Sequence, residues 1–281
     1  MNQIIIDTEN SKLLLEQFKL AGTSQFNMVS KKDIEYRVFI SVPTIEPPSE
    51  GFPVIYLLDG NAVFGTVVEA IRIQSRKPEK TGISPAIIVG IGYPVDEPFF
   101  EQRFFDYTLG PAEIDILLKN EQTSIPAHGG AKQFLDFIEQ ELKPIIKQNY
   151  PINLNKQTLF GHSLGGLFVL YTMFSRSSSF QTYISGSPSL HWNKTLLLEV
   201  EKSFVISVQQ QKIDQELLIG VGELERWKNQ EMGVYSKELV NRLNEFQNDG
   251  LHVKYLTFPG EGHVSVLLPL INELLRFSLK V

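Results

Sequence analysis

Along this chain the spacing of apolar residues changes character near residue 50. Upstream, DIEYRVFISV (33–42) alternates apolar and polar positions from Ile34 onward, the pattern of a strand buried on one face. The KKD run at 31–33 predicts a turn from an earlier strand near Gln25 to Val29, so the first 45 residues read as antiparallel β. Pro43 to Pro53 is a loop dense in Pro, Ser, Glu and Gly. Downstream, VIYLLDG (54–60) and AIIVGIGY (86–93) are nearly continuous apolar runs, as strands covered on both faces require. QTLF (157–160), TYISGS (182–187), ELLIGVG (216–222) and VKYLTFPG (253–260) repeat that texture.

Helical periodicity fills the gaps. AKQFLDFIEQELKPIIKQNY (131–150) places Phe134, Phe137, Ile138, Leu142, Ile145 and Ile146 on one stripe, and Pro144 should bend or end it. SKELVNRLNEFQ (236–247) and SVLLPLINELLRF (265–277) predict two later helices. Strands alternating with helices imply a mostly parallel sheet covered on both faces. Residues 94–130 and 188–214 break the alternation and read as lid-like insertions at strand ends. No composition shift marks a linker, so residues 1–281 read as one α/β domain.

Composition removes several function classes. A net charge of -6 leaves no basic stripe to neutralise phosphates, which argues against nucleic acid. With no cysteine, disulfides, thiolate nucleophiles and Cys-based metal sites are excluded. The start MNQIIIDTEN lacks the basic end and long apolar stretch of a secretory signal. Every apolar run is interrupted before the roughly 18 residues that a membrane span needs. A soluble cytoplasmic protein is the expectation.

The chemistry concentrates at QTLFGHSLGGLFVLYTMF (157–174), where a strand turns at Gly161-His162-Ser163-Leu164-Gly165 into an apolar helix. Such a turn can be mere packing, but G-x-S-x-G between strand and helix is also how a nucleophilic serine is displayed. The glycines relieve crowding at the turn, and the amide of Leu164 would be free to bind an oxyanion. Ser163 needs a base to take its proton. Of five histidines, His263 lies in FPGEGHVSV after the last predicted strand, where an α/β-hydrolase carries its base. His162 adjoins the serine and reads as a packing residue. A carboxylate should orient the imidazole. ELLIGVGELERW supplies Glu225, with Glu223 as the fallback. The second oxyanion amide is expected at Asn61, after the strand ending Asp59-Gly60.

YLLDGNAVF, FGHSLGGLFVLY, SGSPSLHW and FPGEGHVSVLLPLI together resemble the esterase D family of α/β-hydrolases, and most nearly its siderophore trilactone esterases. The likeness runs from about Ile34 to Phe277. It implies an α/β-hydrolase fold, Ser163 as nucleophile, His263 as base, and the Asn61 and Leu164 amides as the oxyanion hole. Some trilactone esterases of this group work with a Ser–His dyad and a poorly placed acid, so the acid stays open here. RFFDYTLG is similar to the family's R-x-x-D-Y-T-P-P segment, with Leu109 and Gly110 in place of the prolines, and implies Arg103 at the substrate. Trp192 stands where it could stack on an aromatic acyl group or anchor its loop.

The reading is therefore a cofactor-free, metal-free serine esterase acting through an acyl-enzyme. The expected substrate is a catecholate siderophore trilactone, either free or as its ferric complex. That anionic complex would need basic residues such as Arg103 or Arg72 at the site mouth. Competing readings are S-formylglutathione or aromatic-acid sugar esters, acyl transfer to an alcohol, and a non-catalytic binding protein on a hydrolase scaffold.

Overall fold

The six apolar runs all form strands of one eight-stranded sheet. The structure, a computed structural model, describes residues 5–8, 11–14, 18–110, 126–227 and 230–280. A hairpin of β1 (Ile5–Thr8) and β2 (Ser11–Leu14) stands apart from that sheet. The sheet contains β3 (Thr23–Val29), β4 (Glu35–Ser41), β5 (Phe52–Leu57), β6 (Ile87–Gly92), β7 (Ile152–His162), β8 (Thr182–Gly186), β9 (Gln215–Gly222) and, after the short ladder of β10 (Arg226–Trp227) and β11 (Gln230–Glu231), β12 (Leu251–Phe258). Its order is β12-β9-β8-β7-β5-β6-β4-β3, with β4 and β3 antiparallel to their neighbours and the rest parallel. This is the expected α/β-hydrolase arrangement with antiparallel N-terminal strands.

Burial explains the two textures. β4 buries Tyr36, Val38 and Ile40 in alternation, whereas every residue of β6 is buried. On one face α1 (Gly60–Gln74) and α9 (Leu267–Ser278) pack Val67, Ile71, Leu270 and Leu274 against Ile55, Ile88, Phe160 and Leu218. The other face carries α4 (Ala131–Phe137), α6 (Leu164–Ser175), α7 (Lys194–Gln210) and α8 (Met232–Leu243). The short helices α2 (Pro78–Thr81) and α3 (Arg103–Tyr107) lie in connections.

Three expectations are refined. The helix expected over 131–150 passes through a π turn at Ile138–Leu142 before α5 (Lys143–Asn149). The widened turn lies directly before Pro144, which has no N–H to continue the α ladder. The segment 188–214, expected to be irregular, contains the regular crossover helix α7, with a loop before Lys194 at the strand ends and a short connection after Gln210. Of the segment 94–130, α3 is a single helical turn, and residues 111–125 lie outside those described. Among the described residues no helix is long and apolar enough to cross a membrane.

α9 approaches the sheet closely because two strands present glycine beneath it. A Cβ on Gly186 or Gly220 would come within 2.4 Å or 2.6 Å of the Leu270 side chain. Leu270 is fully buried in the resulting hollow. Leu270→Ala is expected to lower stability by about 2–5 kcal/mol in urea denaturation followed by circular dichroism. A loss below about 1 kcal/mol would mean that the hollow collapses around the alanine.

Candidate active site

Three loops at the carboxyl ends of β7, β9 and β12 meet at Ser163. The serine has φ 60° and ψ -116°, a strained backbone for a residue with a side chain. Its amide donates to the Gly186 carbonyl at 2.9 Å, and its carbonyl accepts from Leu167 at 3.0 Å and Ser189 at 3.1 Å. Glycine is demanded beside it: a Cβ on Gly161 would lie 2.4 Å from the Gly165 carbonyl oxygen, and one on Gly166 would lie 2.6 Å from that of Gly186. Gly165 is less constrained, since a Cβ there would meet nothing closer than the Asp59 carboxylate at 3.4 Å. The crowding relieved after the serine is thus mostly at Gly166 rather than Gly165.

His263 Nε2 lies 3.0 Å from Ser163 Oγ, and its Nδ1 lies 2.7 Å from Glu225 Oε2. The acid follows a turn closed by the Glu225 amide on the Gly222 carbonyl at 3.3 Å. Its other oxygen accepts from Ser187 Oγ and from the Gly222 amide, each at 2.6 Å. Burial would push this carboxyl up, but the hydrogen bonds from His263, Ser187 and Gly222 outweigh it and hold Glu225 below the usual carboxylate range. An ionised carboxylate only accepts, so His263 carries its proton on Nδ1 and turns a lone pair toward the Ser163 hydroxyl. Glu223, the fallback acid, instead accepts from the Gly260 amide at 2.9 Å on the exposed side. Glu225, not Glu223, is therefore the carboxylate that meets the imidazole.

His162 packs, as expected of it. It is buried, and its ring centre lies 4.8 Å from that of His263. Burial, then the neighbouring His263, push its pKa down to about 3, so it stays neutral beside the imidazole.

The two expected oxyanion donors start two helices. Leu164 and Asn61 occupy the first turns of α6 and α1, where amides have no partner inside the helix. The two helix starts adjoin, since a Cβ on Gly165 would touch both Leu58 and Asp59. The Asn61 side chain fastens its helix to the end of β6: Oδ1 accepts from the Tyr93 amide at 2.8 Å, and Nδ2 donates to the Tyr93 and Val95 carbonyls at 3.0 Å and 2.7 Å. A side chain on Gly92 would place its Cβ 2.0 Å from that Oδ1.

The RFFDYT segment braces this loop rather than reaching out of it. Arg103 is 9% exposed and forms a bidentate pair with Asp59, Nε to Oδ1 at 2.9 Å and Nη2 to Oδ2 at 3.0 Å. The Tyr107 hydroxyl accepts from the Asp59 amide at 3.0 Å. Asp106 is fully buried and accepts from Tyr36, Tyr93 and Gln102. Expected at the substrate, Arg103 has its guanidinium committed to Asp59 because that buried carboxylate needs a counter-charge. Arg72 pairs with Glu69 near the far end of α1, about 18 Å along the helix from Gly60, so it does not border the serine. Trp192 is buried against Phe104 and His128, with Nε1 directed at the Gly110 carbonyl at 3.4 Å, which is the anchoring alternative.

The sequence alone does not mark Asp59, Tyr107, Ser187 or Ser189 as members of the site. For the two serines the one local signal is the polar run SGSPS (185–189), which begins at the end of apolar β8. Among the described residues no group of three or more His, Cys, Asp or Glu side chains could hold a metal.

A model of the family described as "Putative esterase" matches residues 31–264. The chain belongs to that esterase family. It is 45% identical over 263 residues to the ferri-bacillibactin esterase BesA of Bacillus subtilis, covering 93% of this chain and 91% of that protein. It is 34% identical to the apo-salmochelin esterase of Escherichia coli, covering 87% and 73%. The crystal structure of the BES protein from Bacillus cereus superposes with a TM-score of 0.88 at 43% identity, over 95% of this chain and 99% of that one. This esterase therefore shares both fold and family with siderophore esterases.

Removing the brace isolates its electrostatic role. Arg103→Leu leaves a buried, unpaired Asp59 and is expected to cost about 3–5 kcal/mol in urea denaturation. Combining it with Asp59→Asn should recover much of that loss. An Arg103→Leu variant as stable as the wild type would mean that the pair does not hold the loop.

Proposed function

We propose that this esterase hydrolyses the ester bonds of a cyclic catecholate siderophore trilactone, taken as its ferric complex, through an acyl-enzyme on Ser163. The observation that carries the chemistry is the hydrogen-bond chain from Ser163 through His263 to Glu225, at 3.0 Å and 2.7 Å. Likeness over most of the chain to the ferri-bacillibactin esterase of Bacillus subtilis supports the substrate class.

In this reading His263 Nε2 takes the Ser163 proton as Oγ attacks a lactone carbonyl. The negative charge moves to the carbonyl oxygen, and the Leu164 and Asn61 amides stabilise it at the positive ends of two helices. Collapse expels the alkoxide of the next residue in the ring, which receives the proton from His263. Water, deprotonated by the same imidazole, then attacks the acyl carbon and frees Ser163. Glu225 keeps the imidazole in the required tautomer and stabilises its charged form. Iron belongs to the substrate and takes no part in these steps.

Ser163→Ala is expected to reduce kcat for p-nitrophenyl butyrate by about 10⁴-fold or more with the fold intact by circular dichroism. Near-wild-type turnover by that variant would overturn the assignment. Glu225→Gln should lower kcat by about 10³- to 10⁴-fold while Glu223→Gln leaves it nearly unchanged, and the reverse order would make Glu223 the orienting acid. Ferric bacillibactin and ferric enterobactin should both be opened in a chromatographic assay. If they stay intact while simple esters are cleaved, the trilactone assignment fails and the esterase remains.

A further inference from the structure

A second hydroxyl touches the nucleophile. Ser189 Oγ lies 3.1 Å from Ser163 Oγ, and Ser189 is 5% exposed. Its position is fixed on both sides by backbone bonds: its amide donates to the Ser163 carbonyl at 3.1 Å, and its carbonyl accepts from the Trp192 amide at 3.0 Å. The two serines are therefore locked together by main chain, independently of the hydroxyl contact.

The direction of that contact follows from proton counting. Ser163 has one hydroxyl hydrogen, and it is directed to His263 Nε2, whose other nitrogen donates to the Glu225 carboxylate. The hydrogen between the serines must then belong to Ser189, which donates to Ser163 Oγ.

Resting on the acyl-enzyme reading above, the geometry points to Ser189 as a catalytic hydrogen-bond donor to the Ser163 oxygen as it leaves during deacylation. Before acylation the Ser189 bond is already present, and it weakens as the Ser163 lone pair is used to form the new C–O bond. In the acyl-enzyme Oγ is an ester oxygen, a poor acceptor. Water then adds to the acyl carbon and gives a proton to His263. When the C–Oγ bond breaks, its electron pair returns to Oγ, which takes the proton back from His263. Ser189 keeps its own proton throughout. Its hydrogen bond strengthens as charge builds on Oγ, so it lowers the barrier to deacylation more than the barrier to acylation.

The test separates the two half-reactions of p-nitrophenyl butyrate by stopped flow, with quenched samples weighed by intact mass spectrometry. Ser189→Ala should acylate within about threefold of the wild type yet deacylate about ten- to a hundredfold more slowly, so that a butyryl adduct accumulates. Ser189→Thr, which retains the hydroxyl, should return deacylation toward the wild-type rate. Deacylation of Ser189→Ala within twofold of the wild type, or equal losses in both half-reactions, overturns the role of Ser189 alone. Absence of any adduct at Ser163 in every variant, together with full turnover by Ser163→Ala, overturns the acyl-enzyme reading itself.

Discussion

Ser163 is held where a side-chain-bearing residue does not settle unaided, and the site is arranged around that constraint. A backbone with φ 60° and ψ -116° costs on the order of 1–3 kcal/mol. Three main-chain hydrogen bonds, to Gly186, Leu167 and Ser189, offset it. Parallel strands on either side and a helix starting at the next residue leave the serine one direction in which to point. The hydroxyl thereby reaches His263 and Ser189 at the sheet ends, half-buried, while its backbone stays fully engaged.

Around that bend the structure favours buried polar pairing over loop freedom. One helical turn, Arg103–Tyr107, supplies a counter-charge to Asp59, an acceptor for its amide, and a carboxylate for two tyrosines from β4 and the end of β6. Each of these groups would be costly to bury alone, so they immobilise one another. The start of α1, with its Asn61 amide, inherits that rigidity. In the proposed mechanism, an amide already oriented before substrate arrives needs no reorganisation as charge develops.

How far the chain could be read in advance follows from where each residue's partner lies. The strands were legible because burial on both faces leaves uninterrupted apolar runs, and Ser163 and His263 because their local contexts are so distinctive. Glu225 and Glu223 are neighbours on one short turn, and only its curl sends the first inward and the second to the Gly260 amide. Helix α7 is hard to read from the sequence because its buried stripe of Leu197, Phe204 and Val208 also contains Glu201. That charge is matched by Arg242 on α8, 41 residues away, which no local pattern displays. Arg103 is a similar case: 44 residues separate it from Asp59, so its charge looked available to a ligand.

The candidate base arrives late. His263 hangs between β12 and α9, and α9 docks over Gly186 and Gly220, far earlier in the chain. During synthesis the elbow at Ser163 can form while the imidazole is still unmade. On the mechanism proposed above, a nascent or prematurely ended polypeptide carries an inert alcohol until folding closes this long-range contact.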